Sequence, residues 1–113
     1  GGMGSGGFPG ELEQMILLAV LRLRHEAYAL DIVKELDREA GRRVSRGALY
    51  KTLDRMETKG LVVWSQEDST PERGGHPRRR FAVTPAGLEL LRTSREALRR
   101  LWDGLEPLLE RPT

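Results

Sequence analysis

The sequence contains no cysteine, few aromatic residues and no long hydrophobic run, and each absence removes a class of protein. Without cysteine among its 113 residues, the chain has no disulfide, no thiolate metal site and no cysteine nucleophile. Aromatic residues make up 5% and charged residues 32% of the chain, a composition typical of a small helical protein with a well-solvated surface. The length suits one domain.

No apolar run approaches the roughly 18 residues that a membrane span requires, since the segment MILLAVL is followed by Arg22 and Arg24. A secretory signal is also not expected, because Glu11 and Glu13 stand where basic residues should precede the apolar core. We therefore expect a cytoplasmic protein. Residues 1–10 are rich in glycine, and we expect a disordered tag or tail outside the fold.

Residue sets that carry catalysis are also missing. The sequence has no combination of histidine, carboxylate and nucleophile, no phosphate-binding loop and no metal-ligand cluster. His76 could be joined only by His25, and no spacing between them supports a metal site. We expect no enzyme activity, no metal and no cofactor.

Positive charge is concentrated in one third of the chain. Between Arg42 and Arg80 there are ten Lys or Arg and five Asp or Glu, whereas the remainder has nine and twelve. The net charge of +2 is therefore the sum of a basic segment over 42–80 and an acidic remainder of the chain. This asymmetry indicates a polyanion partner, with a solvated charged surface as the alternative.

Three helices are predicted in the first half. Apolar residues at helical spacing predict the first over 11–24. A second is predicted over 30–40, with Leu30, Val33, Leu36 and Ala40 facing inward and Gly41 as its stop. The third starts after Ser45 as N-cap and stops at Gly60; its buried stripe is Leu49, Leu53 and Met56.

The pattern then changes to strands. Segments 61–66 and 78–84 are rich in strand-forming residues, and the polar, Gly- and Pro-rich loop between them predicts a hairpin. On the second strand, Arg79, Phe81 and Val83 share one face.

A final helix is predicted over 85–110, with Thr84 as N-cap, Pro85 in the first turn and Pro107 either kinking it or ending it near Glu106. It carries two apolar ridges, more than a small core can cover. We expect one ridge to pack on the first helix and one across a homodimer interface formed by Leu91, Leu98, Trp102, Leu105 and Leu109.

The predicted order of elements is that of a winged helix-turn-helix, a mainly α (α+β) fold. Residues 11–84 would form a DNA-binding domain and 85–110 a dimerisation helix. In such a fold the second helix of the pair places its first residues in the major groove of DNA. The outward residues of that turn are small, cationic or aromatic, and the candidate DNA-binding set is Ser45, Arg46, Gly47, Tyr50 and Lys51.

Each candidate also has a simpler interpretation. Gly47 could make room for a neighbouring helix, Tyr50 could be a half-buried packing residue, and Arg46 and Lys51 could be solvated charges. The hairpin loop adds wing candidates that would contact phosphates or the minor groove, with a mobile surface loop as the alternative. They are Arg73, Gly74, Gly75, His76 and Arg78.

Two segments, GALYKTLDRMETKGLV and TPERGGHPRRRFAVTPAGLELL, closely resemble the PadR family of bacterial transcriptional regulators. The resemblance is strongest over 45–91, and a single C-terminal helix resembles the short branch of the family. The matching positions are Gly47 to Tyr50, Leu53, Arg55, Gly60, Leu61, Gly74, Gly75, Thr84 and Gly87. One departure is local: Ala27 and Ala29 flank Tyr28, where the family usually has a glycine.

The resemblance implies a homodimer that binds inverted-repeat operators in double-stranded DNA and represses transcription, although the residues alone leave activation open. Some relatives bind flat aromatic effectors at the dimer interface, so the resemblance implies a small hydrophobic or aromatic effector as a possible partner. Trp102 is the candidate residue for such an effector site, with a role in filling the interface as the alternative. The competing function is a winged-helix protein-interaction module that does not read DNA.

Overall fold

The computed structural model describes residues 9–67 and 78–110. Their order is three helices, a hairpin and a long helix, with a short 3₁₀ turn at Arg24–Glu26 and another at Glu106–Leu109. This is the predicted winged helix-turn-helix. The elements are α1 (Glu11–Leu23), α2 (Ala29–Ala40), α3 (Arg46–Thr58), β1 (Val62–Glu67), β2 (Arg78–Val83) and α4 (Pro85–Trp102). None of the described helices has the length and apolar character that a bilayer crossing requires.

The predicted boundaries of α3 are confirmed by their hydrogen bonds. The Ser45 hydroxyl accepts from the backbone N–H of Ala48 at 3.1 Å, which satisfies one of the free amides of the first turn. Gly60 closes the other end with φ +77, and the N–H of Leu61 donates to the carbonyl of Met56 at 2.9 Å. Gly41 likewise ends α2 with φ +62.

The core lies where α1, α2 and α3 meet the hairpin. Its largest fully buried apolar side chains are Ile16, Leu17, Ile32, Leu49, Leu53, Met56 and Val62. The predicted inward face of α2 was wrong at both ends, because Leu30 and Ala40 are exposed and the buried stripe is Ala29, Ile32 and Leu36.

A backbone hydrogen bond before α2 explains why a different face of the helix is buried than predicted. The N–H of Phe81 donates to the carbonyl of Ala27 at 2.9 Å, and Tyr28 bridges Arg80. These contacts turn Tyr28 and Ala29 toward the core, which leaves Leu30 on the outside. The hairpin itself is antiparallel with Trp64 opposite Phe81, and Phe81 is buried.

Two buried carboxylates were not anticipated. Glu13 on α1 accepts from Lys59 Nζ at 2.9 Å and ties α1 to the end of α3. Glu35 on α2 accepts from Arg22 Nε at 2.6 Å and is also paired with Arg38. The hydrogen bond to Glu35 is the main reason that the pKa of Arg22 lies above its usual value.

Helix α4 begins as predicted but ends earlier. The Thr84 hydroxyl accepts from the N–H of Gly87 at 3.0 Å and donates to the carbonyl of Gly60 at 2.6 Å. The helix stops at Trp102, because the chain turns extended at Asp103 and left-handed at Gly104 (φ +81). The prediction of one helix over 85–110, kinked or ended at Pro107, was therefore wrong, since α4 already ends before Pro107.

Candidate nucleic-acid interface

Helix α3 has one buried and one exposed side. Leu49, Leu53 and Met56 are each at most 1% exposed and hold the helix on the core. The predicted contact residues of its first turn, Ser45, Arg46 and Gly47, are exposed, as is Lys51 one turn later. The apolar anchor therefore leaves the whole front end of α3 open to a ligand.

Gly47 faces open space. A methyl group built on it would meet no other atom within 4 Å. Within the described residues, then, this glycine does not make room for a neighbouring helix, which removes the simpler interpretation of its presence. Glycine is unfavourable inside a helix, so packing within the described residues does not account for a glycine at this position.

The cations of α3 and of its C-cap, Lys59, differ in whether they have partners in the chain. Lys59 is paired with Glu13, and Arg55 donates to the Thr52 hydroxyl at 3.3 Å. Among residues 9–67 and 78–110, no carboxylate lies within 4.0 Å of the charged groups of Arg46 or Lys51. Their charges are therefore directed to solvent, where a polyanion can approach.

Tyr50 is half-buried and packs against the core cluster, in agreement with its packing interpretation. It also lines a cleft of about 400 Å³ between α3 and the start of β2, together with Asp54, Arg78 and Arg79. Tyr50 thus packs against the core and also lines the surface cleft.

Arg79 was not among the predicted DNA contacts, yet it lies beside α3. Its guanidinium carbon is 4.4 Å from the centroid of the Trp64 ring and 5.9 Å from that of Tyr50. Its Nη1 is 3.9 Å from Asp54 Oδ1. The sequence contained a signal for this position, because the alternation of side chains along the strand places Arg79 on the same face as Phe81.

Arg78 is held from the opposite side of the hairpin. Its guanidinium carbon lies 3.6 Å from the centroid of the Tyr28 ring, and the Tyr28 hydroxyl donates to Glu67 Oε1 at 3.0 Å. Burial of Tyr28, followed by its hydrogen bond to Glu67, raises the pKa of this phenol above its usual value. Tyr28 therefore fixes the base of the wing to the start of α2. The predicted contacts Arg73, Gly74, Gly75 and His76 lie outside the described residues.

A second exposed surface lies at the end of the chain. Leu98, Trp102, Leu105 and Leu109 of the predicted interface are all exposed, and Leu101 and Leu108 join them at 72% and 78%. Leu91 is the exception and corrects the prediction: at 8% exposed it belongs to the core of its own chain, because the first half of α4 packs on α1. We call the six exposed residues the C-terminal apolar patch.

Comparisons with known proteins agree with this geometry. Residues 17–93 match the sequence model of the transcriptional regulator PadR-like family. Over 77 residues the chain is 40% identical to the transcriptional regulator Rv3488 of Mycobacterium tuberculosis, an alignment that covers 68% of this chain and 67% of that protein.

Solved structures give the same assignment. A PadR-like transcription factor from Bacteroides fragilis is 31% identical with a TM-score of 0.69, covering 88% of this chain and 90% of that one. A PadR family transcriptional regulator from Eggerthella lenta is 30% identical with a TM-score of 0.64, covering 90% and 88%. Because the family match spans more than half of the sequence and relatives at this identity share the fold, the chain belongs to the PadR-like family of transcriptional regulators.

Proposed function

We propose that this regulator reads double-stranded DNA with the front end of α3. The observation that carries the proposal is the exposed first turn, where Ser45, Arg46 and Gly47 stand opposite a fully buried anchor. Arg46 can donate two hydrogen bonds to guanine, and Lys51 can neutralise phosphate. Gly47 lets the backbone approach the DNA closely.

The wing extends this surface. Arg78 and the loop residues Arg73, Gly74, Gly75 and His76 follow α3 in the chain and carry the arginines and small residues that suit phosphates or the minor groove. We propose that they contact the DNA as the second element of the same interface.

We propose a homodimer formed through the C-terminal apolar patch. Six exposed large apolar side chains near one end of a short protein are more than a solvated surface normally carries, and a second copy would cover them. A two-fold dimer presents two copies of α3, which matches an inverted repeat with half-sites about one helical turn apart.

Repression and effector binding are proposed from the family resemblance. A dimer bound across a promoter would exclude the polymerase, and such a protein would act in the cytoplasm beside the chromosome. Trp102 lies half-exposed in the C-terminal apolar patch, so its indole offers a flat apolar surface at the proposed interface. A flat aromatic effector that stacks there would change the distance between the two α3 helices.

The test is fluorescence anisotropy with two labelled duplexes, one from the region upstream of the protein's own gene and one scrambled, at two salt concentrations. We expect tight binding to the upstream duplex that weakens by about 10³–10⁵ between 50 and 200 mM salt, if six to ten phosphates are contacted. Arg46→Ala and Lys51→Ala should each weaken binding. The matched control is Arg92→Ala on α4, which removes the same charge from an exposed pair with Glu89.

Two outcomes would contradict the proposal. If both α3 variants bind like the wild type, α3 is not the reader. If the wild type binds both duplexes equally weakly at both salt concentrations, the competing function as a protein-interaction module gains support.

A further inference from the structure

We propose that the cleft between α3 and the start of β2 binds one phosphate of the DNA backbone and that Arg79 is its principal donor. This inference rests on the proposed function, because it names a residue and a subsite within that interface. The cleft has a volume of about 400 Å³ and is lined by Tyr50, Asp54, Arg78 and Arg79.

The position of the cleft follows from helical spacing. Tyr50 and Asp54 lie one and two turns after Arg46 on the outward face of α3. A duplex that meets the front end of α3 therefore runs its backbone past the cleft before it reaches the wing. Two guanidinium groups and a phenol hydroxyl are donors that suit phosphate.

Arg79 is held in place before any ligand arrives. Its guanidinium lies 4.4 Å from the Trp64 ring centroid and 5.9 Å from that of Tyr50, so two aromatic rings limit its motion. Stacking uses the flat face of the guanidinium and leaves its N–H groups free at the edge. A donor that is already ordered loses little side-chain entropy when it binds.

The charge partner of Arg79 is weak enough to be replaced. Its Nη1 lies 3.9 Å from Asp54 Oδ1, beyond ordinary hydrogen-bond length, and the Asp54 side chain is mostly exposed. A phosphate oxygen at about 2.8 Å would form a shorter, charge-assisted bond. Asp54 is therefore a weak ion-pair partner of Arg79 in the free protein, and a phosphate can replace it.

Arg80 provides a matched comparison on the same strand. The side-chain exposures of Arg79 and Arg80 are similar, at 41% and 38%, but the strand alternation directs them to opposite faces of the hairpin. Arg80 is 3.8 Å from Glu67 and lines a separate cavity with His25 and Val63. Arg79 therefore lines the cleft beside α3, and Arg80 does not.

The experiment measures how DNA affinity depends on salt for Arg79→Gln and Arg80→Gln, on both the upstream and the scrambled duplex. Loss of one phosphate contact in each subunit should reduce the slope of log K against log salt by roughly two for a dimer. We expect this for Arg79→Gln, with affinity lowered roughly tenfold or more per subunit and equally on both duplexes. Arg80→Gln should keep the wild-type slope.

Three results would overturn the inference while leaving the proposed function intact. They are an unchanged slope for Arg79→Gln, an equal change for both variants, or a loss confined to the upstream duplex, which would indicate a base contact. If the wild type itself shows no salt-sensitive binding, the proposed function fails together with the inference. Should Arg79→Gln fail to fold, Arg79→Lys gives the answer: it keeps the charge, so we expect a wild-type slope with reduced affinity. Wild-type affinity in Arg79→Lys would reject the cleft as a preorganised site.

Discussion

A methyl group on Gly87 would lie 2.4 Å from the carbonyl oxygen of Leu61 and 2.9 Å from Cγ1 of Val83. Helix α4 therefore approaches the connection between α3 and β1 so closely that only glycine fits at this position. The same carbonyl accepts from the N–H of Thr84 at 3.0 Å, so the contact belongs to the junction that begins α4.

We predict that Gly87→Ala destabilises the protein. Because the nearest atom is backbone, α4 must shift, and overpacking of this kind costs about 1–3 kcal/mol. The better helix propensity of alanine offsets at most about 1 kcal/mol. Urea unfolding at fixed protein concentration measures the change, and a stability equal to or above that of the wild type would contradict the close approach.

Gly47→Ala should have the opposite effect on stability and a separate effect on function. Since nothing lies within 4 Å of the added methyl group, we expect unchanged stability or a gain of up to about 1 kcal/mol. Affinity for the upstream duplex should fall, because the methyl group separates the backbone of α3 from the DNA. Wild-type affinity with normal stability would show that Gly47 is not a contact position.

The raised pKa of Tyr28 predicts a change in alkaline behaviour. The folded protein holds the phenol proton more tightly than the unfolded chain, because the phenol is buried and donates to Glu67. Its contribution to stability is therefore complete below about pH 10 and is lost as the pH rises through the folded-state pKa. Tyr28→Phe should remove the late phase of an absorbance titration of tyrosinate.

The same variant should also lose stability less steeply than the wild type above about pH 10. At neutral pH it should be less stable by roughly 1 kcal/mol, since it leaves the Glu67 carboxylate without this donor. A late titration phase that persists in Tyr28→Phe would assign that phase to another group.

The proposed dimer predicts different masses for two leucine variants of equal exposure. Leu98 in the C-terminal apolar patch is 46% exposed and Leu30 on α2 is 48% exposed. Leu98→Glu should place a charge in the subunit interface and cost roughly 2 kcal/mol or more of association free energy, which shifts the protein toward monomer. Leu30→Glu should remain dimeric.

Sedimentation equilibrium over a range of concentrations separates the two variants. Equal masses for Leu98→Glu and Leu30→Glu would place the interface elsewhere or leave the protein monomeric.

The sequence was most informative where structure depends on neighbouring residues. The hydroxyl of Ser45, the left-handed conformation of Gly60 and the Thr84–Pro85 start of α4 act within one helical turn, so their roles could be predicted from residue type and order. The buried stripe of α3 follows from the same local periodicity. Residue order also predicted the winged helix and the exposed front end of α3.

Tertiary contacts decided which of the apolar residues in α2 and α4 are buried, which local patterns leave open. The inward face of α2 depends on the bridge between Tyr28 and Arg80, which are far apart in sequence, and Leu30 is exposed as a result. Leu91 and Leu98 both fit the apolar pattern of α4, but only packing on α1 determines that the first is buried within the chain.

Arg79 shows the same limit at the candidate interface. The sequence by itself determined that three consecutive arginines alternate across a strand. The folded chain decided that Arg79 is the one that contacts Trp64 on β1 and lies near Tyr50 and Asp54 on α3, because contacts between distant segments exist only once the chain is folded.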